Sequence, residues 1–185
     1  SLRRRQFPER RVEVIRPFAR YRAAIDPENA VPLSRSLGPS RSRSPRHIYT
    51  DAQIAALLEA AHKLLFRKGL RPHTYVSLFG LLAACALRIS EALRLEREDV
   101  DLNGRILTIR RTKFRKSRFV PMHPTTADAL LAYARRRNRI LRCNSFDAFF
   151  VTESGTPLPY STVRNVFCRL REYLGWAQWN PRPRI

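Results

Sequence analysis

Cysteine is scarce in this chain, and the three that occur, Cys85, Cys143 and Cys168, are far apart and odd in number. They form no Cys-x-x-Cys pair and no Cys/His cluster, which leaves no basis for a disulfide framework or a zinc site. Each lies in or beside an apolar segment and reads as a small packed side chain of a reducing compartment. His47, His62, His73 and His123 share neither metal-ligand nor triad spacing and read as surface or helix-end residues. A glycine-rich phosphate loop is missing, and so is any pair of acids at a metal-binding spacing. Neither a metal nor a small-molecule cofactor is therefore expected. No apolar run is long and clean enough to span a membrane, so no membrane partner is expected. The opening Ser-Leu-Arg-Arg-Arg has no apolar stretch behind it, as a secretory signal would require. Nor does the chain begin with methionine, which makes a processed chain or a fragment the expectation.

Acidic residues are also few: 15 Asp and Glu stand against 36 Lys and Arg, a formal charge of +21 on 185 residues. Self-repulsion on that scale disfavours a compact free state and implies a polyanionic partner such as DNA or RNA. A GC-rich genome would account for arginine replacing lysine, but not for a twofold excess of bases over acids. The apolar fraction of 44% is ordinary and sufficient for a buried core.

No internal repeat is present. Val12, Val14-Ile15, Phe18-Ala19 and Ala23-Ala24 recur at helical spacing within residues 1–25, with Pro17 arguing for a kink or a fresh start. Residues 26–46 are rich in Pro, Ser and Arg and read as a cationic linker, fit to lie along a phosphate backbone or simply to be solvated. Thr50-Asp51-Ala52-Gln53 is a capping box that opens a helix to about Arg67, closed by Gly69. Pro72 starts a very apolar helix from about His73 to Ala86, and a short amphipathic helix follows with Ser90 as N-cap. After a turn at Asp99–Gly104 come a strand over 105–111, a reversal, and a second strand over 117–122. A helix over about 126–140, a short buried strand at Ala148–Val151, and a helix capped by Ser161 and stopped by Gly175 complete the domain. The sum is a mainly helical α+β domain with a small antiparallel sheet.

Two places carry charge with a specific character. Arg88 ends the run Leu-Leu-Ala-Ala-Cys-Ala-Leu, where a charge is expensive unless it has a use. It is either an arginine that snorkels from a helix end or a planar fork for the oxygens of a phosphate, with Glu91 three residues on to orient it. Lys113 and Lys116, two of only four lysines, fall in the turn between the two strands. They are either solvated turn residues or lysines retained for a task arginine cannot perform, such as giving up a proton. Tyr160, at the start of the last helix, reads as a packing residue.

With these residues in view the chain resembles the tyrosine recombinase, or phage integrase, family. The elements that match are Ile48-Tyr49-Thr50-Asp51 with the helix after it, Leu87-Arg88-Ile89-Ser90-Glu91-Ala92-Leu93, and Asp99-Val100-Asp101. Further on they are Arg111-Thr112-Lys113 through Lys116-Ser117-Arg118-Phe119-Val120-Pro121, and Phe149-Phe150-Val151-Thr152. The resemblance implies a helical remnant of a core-binding domain over 1–25, a linker over 26–46, and the first part of a catalytic domain with a three-stranded antiparallel sheet over 47–185. In such enzymes a tyrosine attacks a DNA phosphate without a metal, leaving a 3′-phosphotyrosine. Arg88 matches the arginine that stabilises the pentavalent phosphate, Lys113 the lysine proposed to protonate the departing 5′-oxygen, and Glu91 a supporting acid. Lys116, Arg115 and Arg118, with Arg41 and Arg43 of the linker, are expected on DNA.

The family's Thr-Gly is here Cys85-Ala86, a mild change unless the position requires a positive φ. Its His-x-x-Arg motif and nucleophilic tyrosine have no counterpart, and Tyr160 and Tyr173 lie too early to be the nucleophile. The expectation is a truncated, catalytically incomplete recombinase of the bacterial cytoplasm, associated with the nucleoid when bound. Its partners would be double-stranded DNA and intact recombinase protomers. A non-catalytic occupant of recombination sites and an inert remnant of a mobile element are the alternatives.

Overall fold

The computed structural model describes residues 8–33, 47–64, 69–110, 117–141 and 146–176. The chain divides into two units, Ser1–Arg46 and His47–Ile185. In the first, α1 (Pro8–Ile25) is one helix that continues through Pro17. The helix does not restart at the proline. Proline forfeits one intrahelical bond, and Pro17 stands on an exposed face where water can serve the carbonyl it cannot bond. A turn at Asp26–Asn29 follows, and Arg16 Nε donates to the Pro32 carbonyl at 3.1 Å, holding the next residues beside the helix. Val14, Phe18, Tyr21 and Ile25 form an exposed apolar stripe on α1.

The second unit begins with α2 (Asp51–His62), whose capping box forms as the sequence requires: Gln53 N–H donates to Thr50 Oγ1, and Thr50 N–H to Gln53 Oε1. The helix ends at His62 with Lys63 as C-cap, earlier than Arg67. Leu70, fully inaccessible, lies at the entry to α3. Gly69 takes the left-handed φ of +69° on the way in.

Helix α3 (Arg71–Cys85) is the central element, packed against α2, against α5 (Pro124–Ile140) and against the one-turn α4 (Ile89–Ala92). Helix α6 (Tyr160–Tyr173) lies against α2. Tyr75, Leu78 and Leu81 of α3, Leu130 of α5, and Val163 and Val166 of α6 are buried together in one core. Burial of this kind stabilises by roughly 25 cal/mol per Å² of apolar surface.

The sheet has strand order β1 (Val100–Asp101), β2 (Ile106–Ile109), β3 (Arg118–Pro121), all antiparallel. Leu107 and Ile109 of β2 face the core and Ile106 faces out, the alternation read from sequence. In register, Ile109 pairs with Arg118 and Leu107 with Val120. The mainly helical α+β fold with a three-stranded antiparallel sheet is thus the observed one.

Three local expectations need correction. Ala148–Val151 is buried but is not a strand; it makes only single bridges, Glu96 to Ala148 and Val151 to Pro157. Side chains take the backbone groups a strand would use: Arg137 Nη1 donates to the Phe149 carbonyl at 2.7 Å, and Val151 N–H donates to Tyr133 Oη at 3.2 Å. Helix α6 is preceded by Pro159 as N-cap, placing Ser161 inside the helix. Tyr160 is 48% exposed and so is not a packing residue. Among the described residues no helix is long and apolar enough to cross a membrane.

Candidate functional site: the Arg88–Glu91–Arg118 cluster

Helix α3 ends in an unusual way. Ala86, its C-cap, adopts the left-handed conformation (φ 49°, ψ 34°) normally left to glycine. This turns the chain sharply, so that Leu87 is buried (7% exposed) and Arg88 faces outward as N-cap of α4. Ser90, expected as that cap, lies within the helix. Nor does Arg88 bear the desolvation cost that its place after an apolar run suggests. Its side chain is 64% exposed, because the helix stops before the arginine is reached.

Glu91 holds the site together. Its side chain is only 8% exposed, and each carboxylate oxygen accepts one bond from Arg88 and one from Arg118. Oε1 takes Arg88 Nη1 at 3.0 Å and Arg118 Nη1 at 3.1 Å. Oε2 takes the Arg88 backbone N–H at 3.0 Å and Arg118 Nη2 at 2.9 Å. The bidentate Arg118 fork, with help from the Arg88 bonds and against the effect of burial, holds the Glu91 carboxyl down at about 2. The local half of this arrangement follows from the three-residue spacing. Arg118 was expected only as a DNA contact, and its bond to Glu91 was missed.

The other stem of the hairpin is tied as well. Arg110, just after β2, lies against Asp99 and 3.0 Å from Glu98. Arg110 after β2 and Arg118 at the start of β3 therefore both reach back to acids of the 91–99 segment. Lys113, Arg115 and Lys116, with Arg41 and Arg43, lie outside the described residues.

A cleft of about 720 Å³ adjoins the cluster, but Glu91, Glu96, Asp99 and Asp147 line it beside Arg94 and Arg110. Its carboxylates outnumber its guanidinium groups, so the cleft itself is a poor place for a phosphodiester. Among the described residues no group of three or more His, Cys, Asp or Glu could hold a metal ion. The described free cysteines, Cys85 and Cys168, are both partly buried.

Known proteins resemble this chain in sequence and in fold. The profile of the phage integrase family matches residues 10–183. A putative integrase/recombinase of Sinorhizobium fredii, y4rE, is 37% identical over 162 residues, covering 88% of this chain and 52% of that protein. The tyrosine recombinase XerC of Chlamydia trachomatis is 30% identical over 167 residues, covering 89% and 50%. The chain thus spans about half the length of these relatives. Among solved structures, XerA recombinase superposes with a TM-score of 0.59 at 24% identity, covering 90% of this chain and 54% of that one. The Tn1549 transposon integrase in complex with transposon right end DNA gives 0.66 at 17% identity, covering 93% and 59%. With the fold, the order of its elements and the family profile all in agreement over most of its length, this chain belongs to the phage integrase family of tyrosine recombinases.

Proposed function

We propose that this chain binds double-stranded DNA and supplies the first half of a recombinase phosphate site, with Arg88 gripping the phosphate that is to be cut. The observation that carries this is an exposed guanidinium held at a helix start by a buried carboxylate. Only one of its nitrogens is engaged with Glu91, so N–H donors remain to stabilise charge developing on phosphate oxygens. In this reading Lys113 protonates the leaving 5′-oxygen and Glu91 supports the site. Lys116, Arg115, Arg41 and Arg43 follow the DNA backbone. Residues 1–25 are the end of a core-binding domain, 26–46 the linker and 47–185 catalytic-domain sequence. Structural neighbours solved with DNA support the partner, among them XerH bound to its difH substrate and a lambda integrase tetramer on a Holliday junction. The tetramer also supports assembly with further recombinase protomers.

A second reading has its own observation. These 185 residues contain no His-x-x-Arg motif and no tyrosine that maps onto the nucleophile. By themselves they therefore bind DNA and do not cut it, and the activity of a bare 185-residue chain is occupancy of recombination sites. Incubation with a nicked suicide duplex tests both: the expected result is a salt-sensitive, non-covalent complex. A covalent protein–DNA adduct from this chain would show that it carries its own nucleophile and overturn the incomplete-site reading. The absence of any salt-dependent complex would remove the DNA-binding reading.

A further inference from the structure

We propose that Arg118 is a positioning residue for Arg88, acting through Glu91 and not by touching the phosphate. The inference rests on the reading of Arg88 as the phosphate-gripping arginine. Glu91 offers two oxygens, and a buried carboxylate facing a single guanidinium binds it bidentately. Were Arg88 the only guanidinium in reach, Glu91 would draw both arms of its fork inward. Arg118 prevents this by taking one bond on each oxygen, so that Arg88 spends one side-chain nitrogen and keeps the rest of its fork outward.

Arg118 itself is the more committed of the two, with both terminal nitrogens on Glu91 at 3.1 and 2.9 Å. Its charge also matters. Glu91 alone would cancel Arg88; with Arg118 the cluster carries a net single positive charge, the counterpart of one phosphodiester. Arg118 is the first residue of β3 and Glu91 belongs to α4, so the bond also fixes the sheet against the helix that presents Arg88.

The test uses the 185-residue chain and a fluorescently labelled 40-bp duplex, with affinity measured by anisotropy from about 0.05 to 0.2 M salt. Arg88→Ala is expected to weaken binding about eightfold near 0.1 M salt and to lower the salt slope by about one contact. Arg118→Lys keeps the charge but not the bidentate fork, and is expected to weaken binding, though by less than Arg118→Ala, which loses the charge as well. Combined with Arg88→Ala, it is expected to add nothing further. Because breaking a buried pair can unfold a protein, Glu91→Gln/Arg118→Gln is measured beside it. This double variant leaves net charge unchanged and leaves no uncompensated buried carboxylate, and it too is expected to bind like Arg88→Ala. If Arg118→Lys or the charge-neutral double variant binds like wild type while Arg88→Ala is weakened, Arg118 is not a positioning residue. If Arg88→Ala itself binds like wild type, the phosphate role of Arg88 falls, and the role of Arg118 with it.

Discussion

Arg137 Nη1 donates to the main-chain carbonyl of Phe149 at 2.7 Å, while the same guanidinium lies 5.3 Å from the centroid of the Phe149 ring. Arg137 is 3% exposed and also sits over Tyr133, with its Nε on Asn138. Burial is the main influence on its acidity, pulling its pKa below the ordinary arginine value. An arginine here serves the Phe149 carbonyl and packs between two rings. Arg137→Ala would orphan the Phe149 carbonyl and open a cavity, with an expected loss of about 2–4 kcal/mol. Arg137→Met, which fills the space and removes the charge, should lose less. Urea unfolding of the two variants measures the difference, and equal losses would mean that volume contributes little.

Ala86 occupies a position whose φ of 49° costs an L-residue about 1–2 kcal/mol. Ala86→Gly removes that strain but adds unfolded-state entropy, so a net gain of about 0.5–1 kcal/mol is expected. Ala86→Val should destabilise, because a β-branched side chain tolerates a positive φ poorly. A urea midpoint for Ala86→Gly at or below that of wild type would contradict the assignment.

Glu91 makes stability depend on acid. Its folded carboxyl titrates at about 2, against an ordinary value of 4.5, so the folded state holds the proton less tightly. The sign follows: its contribution is fully present above about pH 4.5 and is lost as pH falls toward 2. The magnitude is on the order of 2–3 kcal/mol, trimmed by the exposure of both arginines to water. Urea midpoints from pH 7 to pH 3 should fall more steeply for wild type than for Glu91→Gln. Parallel curves would remove Glu91 as the cause.

The β1–β2 turn has no room at Gly104. A Cβ there would clash with Asp101 Oδ2, and the same carboxylate accepts N–H bonds from Gly104 at 2.8 Å and Asn103 at 3.1 Å. Gly104→Ala displaces the Asp101 carboxylate and weakens both bonds, with an expected loss of about 1–2 kcal/mol. In a double-mutant cycle with Asp101→Ala the two losses should be strongly non-additive. Additive losses would indicate that the clash is relieved elsewhere.

What could be read from the residues was local. The capping box at Thr50, the apolar length of α3, the β2 alternation and the three-residue step from Arg88 to Glu91 all depend on neighbours in the chain. Misreadings arose where a distant contact overrode local preference. α2 stops at His62, although no breaker stands there. The 148–151 run divides its backbone bonds among the main chain of Leu95 and Leu158 and the side chains of Arg137 and Tyr133.

By itself the sequence determined the family, the mainly helical α+β class and the pairing of Arg88 with Glu91, because each of these follows from residue order and short-range periodicity. Tertiary structure alone decided that Ala86 turns left-handed, that Arg88 faces out, and that Glu91 is shared with Arg118. The last partnership spans 27 residues and exists only because the sheet register sets the start of β3 beside α4. A carboxylate's second partner is chosen by where strands pair, and no local pattern encodes that distance.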